Sequence, residues 1–190
     1  MYAELLIRFE FRAARQLLVD GVLPSTVYRN GHYGVALLVF APVGVALVSA
    51  GLVEFAVVLG AGTLWLAMLP DVDHRLPVIS HRGPTHTVWF ALLIAAVLGG
   101  VGFAVGRAGL GAPLDAQTLG AVGAGVGLLS VGSHLLADAL TPMGIRPFWP
   151  LSRERVTLSV VTADSTVGNY GLLGAGVFVT AAWVGVLVVG

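Results

Sequence analysis

The 190-residue chain contains no cysteine, which excludes disulfides and every metal site built on thiolates. It contains no lysine, so all ten basic residues are arginine. Charge of either sign is scarce, at 11% of residues, and ten acidic residues balance the ten arginines. No broad basic field is left to attract nucleic acid, and no nucleic-acid partner is expected. The chain also lacks a His-Glu-x-x-His pair, a phosphate-loop glycine motif and a Gly-x-Ser-x-Gly nucleophile elbow.

What the sequence has in abundance is apolar residues, 57% of the total, with a mean hydropathy of +0.92. That composition belongs to an integral membrane protein. Crossing a bilayer takes about 20 apolar residues, with a working range of about 17 to 25. Five uncharged segments approach or meet that length, at Gly34 to Val53, Phe55 to Pro70, Val88 to Gly106, Ala116 to Ser133 and Gly171 to Gly190. The expected fold is all-α, an integral membrane helical bundle of about five spans. The fourth span continues through His134 and Asp138 to Thr141-Pro142, where proline stops it, and its many glycines suit close helix packing. A short β-like piece is expected at Arg155 to Thr162, where β-branched residues cluster. Residues 1–30 read as an amphipathic interfacial segment and not as a signal peptide, with Glu4, Arg8, Arg12 and Arg15 on one helical face. Residues 31–190 form the membrane domain.

Arginine placement sets the expected orientation. Arg8, Arg12, Arg15, Arg29, Arg75, Arg82, Arg146, Arg153 and Arg155 all fall on one side of a five-span chain, and only Arg107 falls on the other. The positive-inside rule then puts the amino terminus in the cytoplasm. The same count puts all five histidines at the cytoplasmic rim.

The polar residues left in this oily chain are metal-ligand types. Pro70-Asp71-Val72-Asp73-His74-Arg75 and His81-Arg82-Gly83-Pro84-Thr85-His86 lie between spans two and three. In an extended segment Asp71 and Asp73 would project to one side, as a carboxylate pair for one cation or two. The turn at Gly83-Pro84 could fold His81 and His86 toward one point. Arg82 could pair with an aspartate or clamp a phosphate in its planar fork. His134 and Asp138 stand at i and i+4 on a helix, one above the other. A carboxylate in that position on an apolar helix is a functional feature by default. His32 opens span one. Together His32, Asp71, Asp73, His74, His81, His86, His134 and Asp138 offer eight nitrogen and oxygen donors. Imidazole and carboxylate without sulfur favour zinc, manganese or iron. Eight donors exceed one tetrahedral zinc with an open position, so either two ions bind or some donors play supporting or acid/base roles.

Leu69-Pro-Asp-Val-Asp-His74, His81-Arg-Gly-Pro-Thr-His86, Ser133-His-Leu-Leu-Ala-Asp138 and the following Ala-Leu-Thr-Pro-Met-Gly-Ile145 closely resemble the YdjM-like family of membrane-bound, metal-dependent hydrolases. Phe148-Trp-Pro150 and Gly31-His32 match as well, and the resemblance runs from about residue 31 to residue 170. That family is in turn similar, distantly, to the zinc-dependent phospholipases C and the zinc single-strand nucleases. Carried over motif by motif, the resemblance implies metal ligands at His32, at Asp71 or Asp73, and at His86, His134 and Asp138. His74, His81 and Arg82 are left as catalytic candidates. The expectation is a cytoplasmic-rim, metal-dependent hydrolase of a phosphoester, with one or two divalent ions, membrane lipids as surroundings and a lipid-like substrate. A divalent-cation transporter, a metal sensor, or a protein with a purely structural metal are the alternatives.

Overall fold

The computed structural model describes residues 24–75, 82–111 and 114–189. The expected interfacial helix therefore lies almost wholly outside the described residues, as do His81 and the side chain of His74. The described chain is all-α, with helices α1 (Pro24–Ser49), α2 (Val53–Leu66), α3 (Val88–Arg107), α4 (Ala116–Ala139) and α5 (Thr166–Val189). Among the described residues five stretches are long and apolar enough to cross a membrane, the second reaching that length only by running on from α2 to Asp73. Large apolar side chains such as Trp65, Leu93, Phe178 and Val186 stand exposed on the outside of the bundle, the pattern of helices that meet hydrocarbon.

Because lipid tails are as apolar as leucine, helices in a membrane are held together by close packing and polar contacts more than by hydrophobic burial. Small residues provide the packing here. A Cβ added at Gly123 would collide with the Leu98 carbonyl, and one at Gly127 with the Ala95 backbone, so these glycines let α4 lie directly on α3. Gly34 and Gly176 do the same between α1 and α5. The buried apolar set is correspondingly small, centred on Ala91, Val131, Leu135, Ala139 and Ile145, with Phe90 and Ile94 against it.

Three expectations change. Helix α1 starts at Pro24, about ten residues before the first apolar run, so His32 sits inside a helix and not at its edge. The Asp71 and Asp73 segment is not extended. Pro70–Arg75 is a 3-10 turn, entered through Leu69 N–H to Leu66 O (2.9 Å) and Val72 N–H to Leu69 O (3.1 Å). Proline's fixed φ suits that first turn. At three residues per turn the two carboxylates diverge by about 120° and do not share a side. Finally, the β-branched segment after Arg155 makes a single antiparallel bridge, Ile145 with Val156, among the described residues. Its remaining donors go elsewhere, Leu158 N–H to Ala139 O (2.7 Å) and Val160 N–H to Leu140 O (2.8 Å). These carbonyls are the unsatisfied acceptors at the end of α4, so the segment caps a helix where a strand was expected.

Candidate metal centre

The site lies where the amino-terminal part of α1, the two 3-10 turns flanking residues 76–81, and the carboxyl-terminal part of α4 meet. His134 and Asp138 are fully buried at that end of α4, one turn apart as their spacing requires. His86 ends the short 3-10 turn Pro84–His86. Thr87 fixes its exit, donating to Pro84 O (2.7 Å) and accepting from Phe90 N–H (3.2 Å) as the N-cap of α3.

Three histidines are oriented alike. His134 Nδ1 lies 2.7 Å from the Ala67 carbonyl and His32 Nδ1 lies 3.0 Å from the Tyr28 carbonyl. A carbonyl only accepts, so both Nδ1 atoms carry the hydrogen. His86 Nδ1 stands 3.0 Å from Thr85 Oγ1 and 3.3 Å from Asp73 Oδ2. The Thr85 hydroxyl itself donates to Asp73 (3.0 Å), so its oxygen is an acceptor toward His86. All three rings thus turn Nε2, with its lone pair, into the centre. His86 Nε2 and His134 Nε2 come within 3.3 Å of each other.

Carboxylates complete the set. Asp71 Oδ1 lies 3.4 Å from both His86 Nε2 and His134 Nε2. Asp138 Oδ2 lies 3.2 Å from His86 Nε2 and 3.5 Å from His134 Nε2. His32 Nε2 approaches the other oxygen, Asp138 Oδ1, at 3.5 Å. Among the described residues two overlapping groups could hold a metal, His32 with His134 and Asp138, and Asp71 with His86 and His134. His32 Nε2 and Asp138 Oδ2 are buried yet lack a hydrogen bond of acceptable geometry. Inward lone pairs crowded beside two carboxylates are the donor chemistry of a divalent cation site, and the residues present fit such an ion. Burial alone would pull the His86 pKa down, but the adjoining Asp138 and Asp71 carboxylates outweigh it and hold the imidazole above its ordinary value.

Two residues with other sequence expectations take supporting places. Asp73, 2% exposed, accepts from Arg82 N–H (3.1 Å) and Thr85 Oγ1, and so backs His86 from behind. Arg82 is not an open phosphate clamp. Its Nη1 donates to Gly144 O (2.8 Å) and Thr141 Oγ1 (3.2 Å), and its Nη2 to Asp138 Oδ1 (2.6 Å) and the Tyr28 hydroxyl (2.9 Å). Its backbone lies in the left-handed region at φ +57°, which costs a non-glycine residue about 1–2 kcal/mol. The hydrogen bonds made by its N–H and guanidinium offset that cost.

Sequence reasoning missed Tyr28, whose hydroxyl donates to Asp138 Oδ1 at 2.6 Å. Its signal was the four-residue spacing to His32, visible only once the helix is known to begin before residue 28. It also missed Thr85, which sits within the recognised Gly-Pro-Thr-His motif. Beside His32 a small cleft opens, lined by Tyr28, His32, Leu140, Thr141, Val161 and Asn169.

Residues 29–190 match the family described as YdjM inner membrane protein, and the chain belongs to that family. No curated protein and no solved structure matches it.

Proposed function

From membership in this inner membrane family and the donor set together, we propose that the protein is a membrane-bound, metal-dependent hydrolase acting on a phosphoester of a lipid or lipid-like molecule. The observation that carries this reading is the convergence of three buried imidazole Nε2 atoms and two carboxylates at one end of the bundle. When bound, a divalent ion, zinc by preference and manganese or iron by donor type, supplies Lewis acidity and a water acidic enough to attack near neutral pH.

The chain's own residues prepare that chemistry. Ala67 O, Tyr28 O and the Thr85–Asp73 pair hold the three imidazoles in one tautomer. Arg82 and Tyr28 fix Asp138 through Oδ1, so that Oδ2 is turned toward His86. His32 borders the small cleft and turns its Nε2 inward, 3.5 Å from Asp138 Oδ1, beside the other donors. Orientation follows the arginine bias, which puts this end of the bundle in the cytoplasm. Transport sites lie typically near the bilayer midplane. Here the donors gather at helix ends and in turns, which supports hydrolysis over cation transport.

The test is purified protein assayed for bound metal and for turnover of phosphodiester and phosphomonoester substrates, alongside Asp138→Asn. Metal-dependent turnover lost in the variant is the expected result. Bound metal with no turnover of either substrate, together with metal flux into proteoliposomes, would decide for a transporter.

A further inference from the structure

We propose that the centre holds a single divalent ion, bound by His86 Nε2, His134 Nε2, Asp71 Oδ1 and Asp138 Oδ2, and that His32 is not among its ligands. This rests on the metal-binding reading above and narrows the one or two ions expected from the sequence to one.

Two donors on one tetrahedral ion, each bonded at about 2.0–2.1 Å, stand about 3.3 Å apart. The two imidazole nitrogens and each of the two carboxylate oxygens stand 3.2 to 3.5 Å apart. The histidine pair with either carboxylate is therefore already spaced as ligands of one ion. Among the described residues a second ion would have to use the overlapping group of His32, His134 and Asp138, and two of those three are committed. His134 donates Nδ1–H to the Ala67 carbonyl, which leaves it one lone pair and hence one ion. Asp138 Oδ1, the oxygen nearest His32, already accepts from the Arg82 guanidinium at 2.6 Å and from Tyr28 at 2.6 Å. A second cation at that oxygen would face the Arg82 charge in a buried, poorly screened place. The positive charge at that oxygen is thus supplied by arginine, and the described donors hold one ion. His32 stays beside the ion, with its Nε2 buried 3.5 Å from Asp138 Oδ1.

The experiment uses the full chain in detergent micelles, stripped with chelator and titrated with Zn2+ and, for its visible spectrum, Co2+. The expected endpoint is one ion per chain in the wild type and in His32→Gln, with affinity in that variant within about tenfold of wild type. Supporting residues around a metal typically cost 10–100-fold when lost, so the ligand variants Asp71→Asn, His86→Gln and His134→Gln should lose more than about 100-fold. Two ions per chain in the wild type, falling to one in His32→Gln, overturns the single-ion assignment while leaving metal binding intact. One ion with an affinity loss in His32→Gln as large as in His86→Gln overturns the exclusion of His32. No ion bound by a folded wild-type chain overturns the metal reading beneath both. The wild-type endpoint needs no variant, so a substitution that fails to fold leaves the count decisive.

Discussion

Arg82 and Asp138, 56 residues apart in sequence, form a buried ion pair with 2.6 Å between Nη2 and Oδ1. The pair joins the turn before α3 to the end of α4. It also leaves the second oxygen of Asp138 facing His86. One arginine therefore performs a structural task and a positioning task at once.

Replacing Arg82 by Lys keeps the charge but not the planar fork that serves Thr141, Gly144, Tyr28 and Asp138 together. Metal affinity is expected to fall about 10–100-fold, as for other groups that orient a ligand. Arg82→Ala leaves Asp138 uncompensated, and breaking a buried pair this way costs about 3–5 kcal/mol. Isothermal titration and chemical unfolding in micelles check the two effects. Unchanged affinity in Arg82→Lys would mean that Asp138 holds its position unaided.

Tyr28→Phe removes only a hydroxyl that both donates to Asp138 and accepts from Arg82. A hydrogen bond to a charged group is worth about 1.5–3 kcal/mol, so a stability loss of that order is expected, with metal still bound at one equivalent. Thermal unfolding beside metal analysis is the measurement. Loss of the metal itself would move Tyr28 from support to ligand.

Asp138→Asn keeps shape and removes charge, and His86→Ala removes an imidazole, so each is expected to strip metal and abolish hydrolysis in a chain that still inserts. The double variant should be little worse than either single one, because residues acting as a unit are not additive. Full metal occupancy in both single variants would show that α4 and the turn before α3 do not share an ion.

Gly127→Leu puts a side chain where the Ala95 backbone now lies. Overpacking of this kind costs about 1–3 kcal/mol, and α3 must shift, carrying His86 with it. A lowered melting temperature with weakened metal affinity is expected, whereas Gly132→Ala, with open space around it, should be neutral in both. Equal behaviour of the two variants would argue against the α3–α4 contact.

Orientation is read with reporter fusions. A fusion after Gly190 and one between Arg107 and Gln117 should both report an extracytoplasmic position, given nine arginines on one side and one on the other. Cytoplasmic signal from both would reverse the placement of the centre.

The membrane spans were legible because hydropathy is a property of long windows, and the His134 and Asp138 pair because a helix has a fixed period. What was not legible depended on contacts between segments. The first span was placed from Gly34, where the uncharged apolar run begins. The helix starts earlier, and Gly31 and Gly34 within it are packing positions against Asn169 and Leu172 on α5. Asp71 and Asp73 looked equivalent in sequence, and only the 3-10 turn separates them, one toward the Nε2 side of His86 and the other toward its Nδ1 side. Arg82 kept two readings open until Tyr28, Thr141 and Gly144 were seen to occupy its donors. The β-branched run after Arg155 favoured a strand by composition, and the open carbonyls of α4 diverted it.

The small apolar core has a consequence for the life of the protein in the cell. With alanines and valines for most of its buried contacts, the bundle relies on the polar knot of Tyr28, His32, Asp71, Arg82, His86, His134 and Asp138 to draw α1, α4 and the two turns together. A chain entering the membrane span by span carries Asp138 and Arg82 apart until α4 arrives, and each unpaired charge near hydrocarbon is a mark of incomplete assembly. Completing the centre and completing the bundle are one event. Variants that damage the centre are therefore expected at lower abundance even where they still insert, so their phenotype is to be normalised to protein amount before it is read as catalysis.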